Sequence, residues 1–334
     1  MKLTIAAAAG LAGSLTTAAL IAQTAPAATL LVLAKTDQML AVVDPATLKV
    51  VGRVPSGPDP HEVVASTDGR TAYISNYNAG QNIITVVDLV AMKPLPNIDL
   101  GPLRAPHGLI FAAGKLWFTA EGSKVMGSYD PAARKVDWVL GTGQNRTHMI
   151  HVSEDVKRIV TTNVSSATVT IAEKTAGGGR GGSGGDWDAA VVAVGKGAEG
   201  FDVSPDGREI WTANAEDGTV SIVDAATKRL AHTIAANVTG ANRLKFTPDG
   251  KLALISTLRG PDLTIIDTAT RREVKRLPIG RGAAGIQMQP DGLRAYVACS
   301  PDNYVTIVDL KSLEVAGRIE AGGRPDGLAW AVRR

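Results

Sequence analysis

Short runs of alternating apolar and polar positions, rich in Val, Ile, Thr and aromatic residues, recur along the chain after residue 28. A period of two is typical of half-buried β-strands. Pro-Asp-Gly or related segments separate many of these runs, as in SPDGREIWTAN at 204–214. In such turns Gly supplies the positive φ. We therefore expect an all-β protein whose strands follow one another through tight turns.

The strand pattern repeats along the chain. Related copies of the 204–214 segment start at Ser66, Thr247 and Gln289. A second, apolar string closed by an acidic residue also recurs, and its last residues are Asp44, Asp88, Asp130, Glu173, Asp224, Asp267 and Asp309. We expect these acidic side chains to accept turn hydrogen bonds rather than to act in catalysis. A period of roughly 40 to 50 residues with four strands per unit is typical of propeller blades.

The two ends of the repeat region indicate how the ring closes. With strands labelled A to D from the axis outward, the region starts on a B strand, TLLVLA, and finishes on an A strand, PDGLAWAV. The last A strand is therefore expected to complete the first blade, which leaves no open sheet edge between the two. The sequence predicts an all-β, seven-bladed β-propeller with four-stranded antiparallel blades, in one domain at 29–334.

Residues 1–28 have a different pattern. Lys2 precedes an apolar run that ends at Ala22 and is followed by QTAPAATLL, which is typical of a secretory signal cleaved after Ala27 or Ala28. A single membrane anchor is the alternative, because the run is almost long enough to span a bilayer. Since Ala, Gly and Thr dominate the run and no positive residues follow it, we predict a signal peptide. The mature protein is then periplasmic or secreted, without stable membrane insertion.

Charge and cysteine content narrow the range of partners. The chain has 35 Lys and Arg against 32 Asp and Glu, a net charge of +3, and no basic run interleaved with aromatic residues, so we do not expect a nucleic-acid partner. Cys299 is the only cysteine and cannot form an internal disulfide. Its strand-like context, RAYVACS, predicts a buried structural thiol. We expect a monomer.

The segments AYISN, IWTAN and AYVAC each follow a Pro-Asp-Gly-like turn, and each precedes a hydrophobic-Thr/Ser-hydrophobic-hydrophobic-Asp string. In these features the chain resembles the exported YVTN-repeat β-propeller proteins, over essentially its whole length after residue 28. The resemblance implies a propeller fold. That repeat is shared by proteins of unassigned role, lyases, and lactonase-like and quinoprotein-like relatives, so function has to be argued from the site.

Aligning the repeats on the turn places seven equivalent residues just before strand A, and the loops that hold them are expected to open on one face around the axis. In ring order these residues are Asp326, His61, His107, His148, Glu199, Asn242 and Ala284. His148 is thus grouped with residues of neighbouring blades. His151, three positions further on, is expected to support the ring from behind or to line the channel. Its equivalents are Val64, Ile110, Asp202, Lys245 and Gln287.

Three imidazoles beside a carboxylate fit a divalent transition metal with an open position for water or substrate. The candidate ligands are His61, His107, His148 and Glu199. Two alternatives stay open: a metal-free polar mouth for a small ligand, and structural hydrogen bonding, because one loop sequence copied three times would give the same ring.

Basic residues stand two or three positions before the ring residues, and guanidinium groups suit carboxylate or phosphate groups. An anion-binding mouth is therefore a further hypothesis. The candidate ligand-binding residues are Arg104, Arg146, Lys196, Arg281, Arg324 and Asp326.

Two function classes follow. We favour an exported binding or accessory protein whose mouth holds a small ligand, a metal or a protein partner, because no separate acid–base pair can be identified. The alternative is a metal-dependent lyase or lactonase-like enzyme that uses the histidine ring, with Glu199 or His151 as base. The segment GRGGSG at 179–184 formally matches a dinucleotide-binding motif, but it lacks the preceding strand and following helix. We interpret it as a flexible hairpin insertion.

Overall fold

The computed structural model describes residues 28–78, 80–175 and 187–333. The predicted signal peptide, apart from Ala28, and the Gly-rich insertion at 176–185 lie outside the described residues. Within these ranges, 28 strands form seven four-stranded antiparallel sheets. The predicted seven-bladed β-propeller is therefore confirmed.

The blades are numbered from the one that contains both ends of the described chain, and strands are given from the axis outward. Blade 1 contains β28 (Pro325–Val332), β1 (Ala28–Ala34), β2 (Met39–Asp44) and β3 (Lys49–Pro55). Blade 2 contains β4 (Pro60–Ala65), β5 (Thr71–Asn76), β6 (Ile83–Asp88) and β7 (Lys93–Asp99), and blade 3 contains β8 (Pro106–Ala112), β9 (Lys115–Ala120), β10 (Val125–Asp130) and β11 (Lys135–Gly141).

The other four blades follow in chain order. Blade 4 contains β12 (Thr147–Val152), β13 (Arg158–Asn163), β14 (Thr168–Lys174) and β15 (Trp187–Ala193), and blade 5 contains β16 (Ala198–Val203), β17 (Glu209–Asn214), β18 (Thr219–Asp224) and β19 (Arg229–Ile234). Blade 6 contains β20 (Ala241–Phe246), β21 (Leu252–Thr257), β22 (Asp262–Asp267) and β23 (Arg272–Pro278), and blade 7 contains β24 (Ala283–Met288), β25 (Arg294–Cys299), β26 (Tyr304–Asp309) and β27 (Glu314–Ile319).

Short 3₁₀ turns follow the second strand of three blades, at Glu121–Ser123, Val164–Ser166 and Ser300–Asp302. No helix among the described residues is long and apolar enough to cross a membrane.

Ring closure has the predicted form. Strand β28 pairs antiparallel with β1, for example Thr29 with Ala331 and Leu31 with Ala329, and the sheet order is β28-β1-β2-β3. The C-terminal strand thus supplies the innermost strand of blade 1, and no open sheet edge remains between the first and last blades.

The turns explain the repeated motifs. In the turn at 204–207, the Ser204 hydroxyl donates to the Asp206 carboxylate over 2.6 Å and Gly207 has a φ of 71°. At the end of β18, the carboxylate of Asp224 accepts hydrogen bonds from the backbone N–H groups of Ala226 and Thr227 over 3.1 and 2.7 Å. The other strand-closing aspartates accept equivalent hydrogen bonds from turn N–H groups, as predicted: Asp44, Asp88, Asp130, Asp267 and Asp309. Glu173 differs from the prediction, because its carboxylate forms ion pairs with Arg158 and Lys228.

The core lies between neighbouring sheets. Trp211 of blade 5 is fully buried and packs edge-on against Phe246 of blade 6. Tyr296 of blade 7 packs in the same way against Trp330 of blade 1. These aromatic pairs remove large apolar areas from water between successive blades. Cys299 is buried and unpaired, as predicted.

Glycine allows the innermost strands to approach one another around the axis. A Cβ on Gly108 would lie 2.5 Å from the carbonyl oxygen of His148 in the next blade, and one on Gly327 would lie 2.3 Å from that of His61. Any side chain at these positions would push the strands apart. The positions equivalent to Gly108 around the ring are Gly327, Glu62, Met149, Gly200, Arg243 and Gly285.

Candidate functional site: the axial mouth

The seven residues predicted to form a ring all line one cavity of about 330 Å³ at the axis. We call this space the mouth cavity and the seven residues the mouth ring. The ring lies where the loops between blades enter the innermost strands. The position of the ring, predicted from the repeat alignment, is thus found in the structure.

A local irregularity in the strands positions each ring side chain. Pairing between the first two strands shifts register between Pro106 and Leu109 in blade 3 and between Thr147 and Ile150 in blade 4. Such β-bulges change the direction of a side chain relative to the regular pleat. His107 and His148 lie inside these two bulges.

Hydroxyl groups of the second strands then tie neighbouring bulges together. Thr119 Oγ1 accepts from the Gly108 N–H over 2.9 Å and donates to the His148 carbonyl over 2.5 Å. Thr162 Oγ1 donates in the same way to the Glu199 carbonyl over 2.9 Å. Each hydroxyl therefore fixes a ring residue of the next blade.

His107 and His148 form a stacked pair, with ring centroids 3.8 Å apart and planes inclined by 28°. Both residues are only 2 % exposed. His148 Nδ1 hydrogen-bonds Glu121 Oε1, whereas no hydrogen bond from a described residue reaches His148 Nε2 or His107 Nδ1. Burial, reinforced by the nearby His148, His61, Arg243 and Arg146, holds the pKa of His107 well below its ordinary value, so its imidazole is neutral.

Glu121 is held firmly behind this pair. It begins the 3₁₀ turn after β9, and its Oε2 accepts from the Tyr77 hydroxyl over 2.5 Å and lies 3.6 Å from Arg146 Nε. Burial opposes ionisation of Glu121, but the hydrogen bonds from His148 and Tyr77 and the Arg146 charge outweigh it and lower the pKa. Burial, followed by the contact with Glu121, raises the pKa of Tyr77 to about 12.

His61 has different surroundings. Its Nε2 lies 2.5 Å from Lys35 Nζ and 3.1 Å from Asp59 Oδ1, and its Nδ1 lies 3.7 Å from Asp326 Oδ2. Its ring centroid is 5.3 Å from that of His107. The three predicted imidazole ligands are thus divided between a charged cluster around His61 and the stacked pair.

Glu199 lies on the other side of the stacked pair. Its Oε1 is 3.7 Å from His148 Nε2 and accepts from Asn242 Nδ2 over 2.8 Å. The Asn242 Oδ1 atom is buried and has no hydrogen-bond partner in the described part of the chain.

Only two of the five predicted basic residues line the mouth cavity, Arg146 and Arg324. The others do not. Arg281 forms an ion pair with Asp302 and its side chain is 74 % exposed, and Arg104 donates to the Gly80 carbonyl. Lys196 uses its backbone N–H to bind Asp217. Arg104, Lys196 and Arg281 therefore lie outside the cavity lining, and a role for them in ligand binding stays a prediction.

The loops that follow the second strands also contribute to the site, and the sequence motifs did not indicate this. Lys35 and Tyr77 line the cavity, and Glu121 contacts His148 from behind. All three occupy the same repeat position, the first residue after the second strand, and aligning that position would have found them. Its seven occupants are Lys35, Tyr77, Glu121, Val164, Ala215, Leu258 and Ser300.

A buried ion pair closes the bottom of the mouth cavity. Arg243 of blade 6, 5 % exposed, reaches across the axis to Glu62 of blade 2. Both side chains occupy the repeat position at which four other blades carry glycine, so they fill the space that those glycines leave. Arg243 lines the mouth cavity and also a second cavity of about 190 Å³.

His151 lies in this second cavity and not behind His148. Its repeat equivalents line the same space, and we call the set the inner ring: Ala329, Val64, Ile110, His151, Asp202, Lys245 and Gln287. Burial lowers the pKa of His151. Of the two roles expected for His151, support of the mouth ring or lining of the channel, the structure shows the second, because the Glu62 and Arg243 side chains separate the two rings.

Comparison with known proteins supports the fold. No family model matches the chain, and no curated protein matches it in sequence. Solved structures similar in fold include the three described below. A functionally unknown protein from Desulfotomaculum acetoxidans has a TM-score of 0.72 and 14 % identity, covering 90 % of this chain and 98 % of that one. Kuenenia stuttgartiensis hydrazine synthase has a TM-score of 0.67 and 18 % identity, covering 81 % and 89 %.

The third is a "putative 6-phosphogluconolactonase" from Bacteroides uniformis, with a TM-score of 0.71 and 15 % identity, covering 91 % of this chain and 99 % of that one. Since these identities are low, the similarities define the fold alone. The protein is a seven-bladed β-propeller.

Proposed function

We propose that the protein is a binding or accessory propeller whose mouth cavity holds a small ligand. One observation carries this proposal: three buried polar atoms on residues that line the cavity have no hydrogen-bond partner among the described residues. They are His107 Nδ1, His148 Nε2 and Asn242 Oδ1. Leaving a buried polar atom unpaired costs about 1–3 kcal/mol, so a ligand that pairs with these atoms is stabilised.

The charges around the cavity favour a ligand with positive charge or hydrogen-bond donors. Lys35 is paired with Asp59 and Asp326, and Arg146 with Glu121. Arg243 is paired with Glu62. Of the cationic side chains that line the cavity, Arg324 alone has no carboxylate within ion-pair distance in the described ranges. An anion would therefore meet mostly neutralised cations.

One of the free atoms, Asn242 Oδ1, is an amide oxygen and can only accept hydrogen bonds. Glu121 engages His148 Nδ1, so Nε2 is the ring nitrogen that remains for a ligand. These groups match a cation or a donor and not an anion, so the anion-binding hypothesis has less support than the cation-binding one.

The location and family are proposed from the sequence pattern. We propose that residues 1–28 are removed as a signal peptide, that the propeller at 29–334 is exported as a monomer to the periplasm or beyond, and that it is a relative of the YVTN-repeat propellers. Intact-mass measurement of the protein from an exporting host should give a mature N-terminus after Ala27 or Ala28. A retained leader would contradict this.

A second candidate function is a lactonase-like or lyase reaction. The contact between Glu121 and His148 favours it, because a carboxylate that orients one ring nitrogen leaves the other as a base. Assay of simple lactones with the wild type and His148→Gln tests it. Hydrolysis that is equal in both proteins would count against a catalytic His148.

The binding proposal is tested by thermal unfolding with four compound classes: divalent cations, organic ammonium compounds, carboxylates and phosphates. A ligand at 100 times its Kd should stabilise the wild type by about 2.7 kcal/mol. His107→Ala should lose this stabilisation. His232→Ala, which alters an exposed side chain of β19, should keep it. Failure of all four classes to stabilise the wild type would contradict the proposal.

A further inference from the structure

We propose that the ligand of the mouth cavity is a divalent transition-metal ion, bound by His107, His148 and Glu199, with Glu121 as a positioning residue for His148. This inference rests on the proposed function, because it names the ligand of the same cavity. It also replaces the ligand set predicted from the sequence, which included His61 and did not include Glu121.

The two histidines form the basis of the site. One ligating atom from each of His107, Glu121 and His148 can be chosen so that all three lie within 4.8 Å of one another. The two imidazole rings are stacked, with centroids 3.8 Å apart and planes inclined by 28°, so binding of one ion by both requires the rings to rotate out of the stack. Both rings are buried, and each carries a nitrogen that no described residue contacts through a hydrogen bond. Imidazole is a ligand that Zn²⁺, Co²⁺, Ni²⁺ and Cu²⁺ favour.

Glu199 supplies the third ligand. Its Oε1 lies 3.7 Å from His148 Nε2, which is too long for a hydrogen bond. Two ligand atoms of one tetrahedral ion, each about 2.0–2.2 Å from the metal, lie about 3.4 Å apart. The separation therefore suits an ion between the two atoms. No Lys or Arg in the described ranges forms an ion pair with Glu199, so its negative charge is available to the metal.

Glu121 is in a position to orient a ligand and not to be one. Its Oε1 is engaged by His148 Nδ1 and its Oε2 by the Tyr77 hydroxyl. A carboxylate on the distal nitrogen of a metal-bound histidine fixes the tautomer and ring orientation and increases the basicity of the ligating nitrogen. Glu121 thus directs the lone pair of His148 Nε2 towards the cavity.

His61 does not belong to the ligand set, because Lys35 and Asp59 contact its Nε2. Three protein ligands leave one position of a tetrahedral ion open. The cavity lining also includes Leu258, Ala284 and Pro301, whose side chains offer no ligand atom for that position. A water molecule or an organic ligand can therefore occupy it.

The experiment is a metal titration of full-length mature protein without a histidine tag. After chelator treatment, Zn²⁺ binding is measured by calorimetry and Co²⁺ binding by visible absorption, which reports tetrahedral coordination. We expect one ion per wild-type chain. His107→Gln and His148→Gln should weaken binding at least 100-fold, and Glu199→Gln at least 10-fold. Glu121→Gln should weaken binding about 10- to 100-fold while keeping a tetrahedral cobalt spectrum.

His151→Gln and His232→Gln are matched controls, because they remove an imidazole from the inner ring and from the outer strand β19, neither of which contributes a proposed ligand. Both should bind metal within twofold of the wild type. His61→Gln tests whether His61 belongs to the ligand set, and it should weaken binding less than His107→Gln. The stability of every variant is also measured by unfolding in the presence of chelator, which distinguishes a variant that folds poorly from one that folds but does not bind metal. A variant that does not fold is replaced by the corresponding Asn substitution. If Glu121 were merely structural, Glu121→Gln would lower stability in chelator and leave metal affinity unchanged.

Three outcomes would overturn the inference: no stoichiometric metal on the wild type, equal loss in His61→Gln and His107→Gln, or a Co²⁺ spectrum without tetrahedral character. The proposed function is tested separately. If no metal ion binds the wild type but an organic ammonium compound stabilises the wild type and not His107→Gln, the mouth cavity remains a ligand site and only the metal assignment is wrong.

Discussion

The mouth ring and the inner ring lie three residues apart on the same seven innermost strands, yet they have different chemistry. His148 is stacked on His107 and held by Glu121, with one ring nitrogen left free. No hydrogen bond from a described residue reaches His151, which shares its cavity with Asp202. The same residue type on the same strand thus becomes a candidate ligand in one ring and a channel-lining side chain in the other.

The difference has a geometric cause. Mouth-ring residues lie in β-bulges at the end of the propeller where the loops after the second strands converge, and these loops bring Lys35, Tyr77 and Glu121 alongside. Inner-ring residues lie further along the strands, beyond those loops. The ion pair between Glu62 and Arg243 separates the two sets. Polar partners are therefore concentrated at the mouth.

We expect the largest loss of stability from removing residues 325–334. This segment contains Asp326 of the mouth ring and Ala329 of the inner ring, the two ring residues of blade 1. Without β28 the edge of β1 is exposed, together with the apolar residues beneath it. We expect loss of cooperative unfolding, measured by circular dichroism and calorimetry. A truncated protein with unchanged melting behaviour would contradict the described closure.

The separation of the two rings can be broken at Glu62. Glu62→Ala leaves Arg243 buried without its partner, and breaking a buried ion pair in this way costs about 3–5 kcal/mol. Urea unfolding measures the change. The control is the double variant Glu62→Leu with Arg243→Leu, which removes both charges and should cost much less. A loss below about 1 kcal/mol in the single variant would show that Asp326 and Glu199 compensate the Arg243 charge.

A smaller loss of stability is expected when the Thr119 hydroxyl, which links mouth-ring residues of neighbouring blades, is removed. Thr119→Val removes the partner of the Gly108 N–H and of the His148 carbonyl, and each buried group left unpaired costs about 1–3 kcal/mol. Ligand affinity at the mouth should fall as well. Thr264→Val is the matched control, because Thr264 is also fully buried but its hydroxyl has no partner among the described residues. Equal losses in the two variants would rule out the proposed linkage.

The smallest effect is expected in the inner ring. His151→Ala removes a side chain that no described residue contacts through a hydrogen bond, so stability should change by less than about 1 kcal/mol. Mouth ligand binding should be unaffected, because Glu62 and Arg243 lie between the rings. Calorimetric titration of the variant checks this. A tenfold loss of affinity would mean that the two rings are coupled.

The sequence was sufficient to predict both rings as sets. The repeat aligned His148 with His61 and His107, and it aligned His151 with Asp202 and Lys245, because one repeat unit occupies one equivalent place in each blade. The strand repeats alone did not predict which loop residues contact the mouth ring. Each of the loop residues Lys35, Tyr77 and Glu121 follows the second strand of its blade. Their side chains contact mouth-ring residues only once the blades have closed around the axis.

The sequence by itself determined the fold, the number of blades and the closure by β28, because local turn chemistry and strand alternation repeat in every unit. Tertiary structure alone decided which ring residues share a site. His61 is engaged by Lys35 from blade 1, while His107 and His148 stack and lie between Glu121 and Glu199. The physical reason is that hydrogen bonds and ion pairs act over a few ångströms, and these distances between blades are fixed only when the ring is closed.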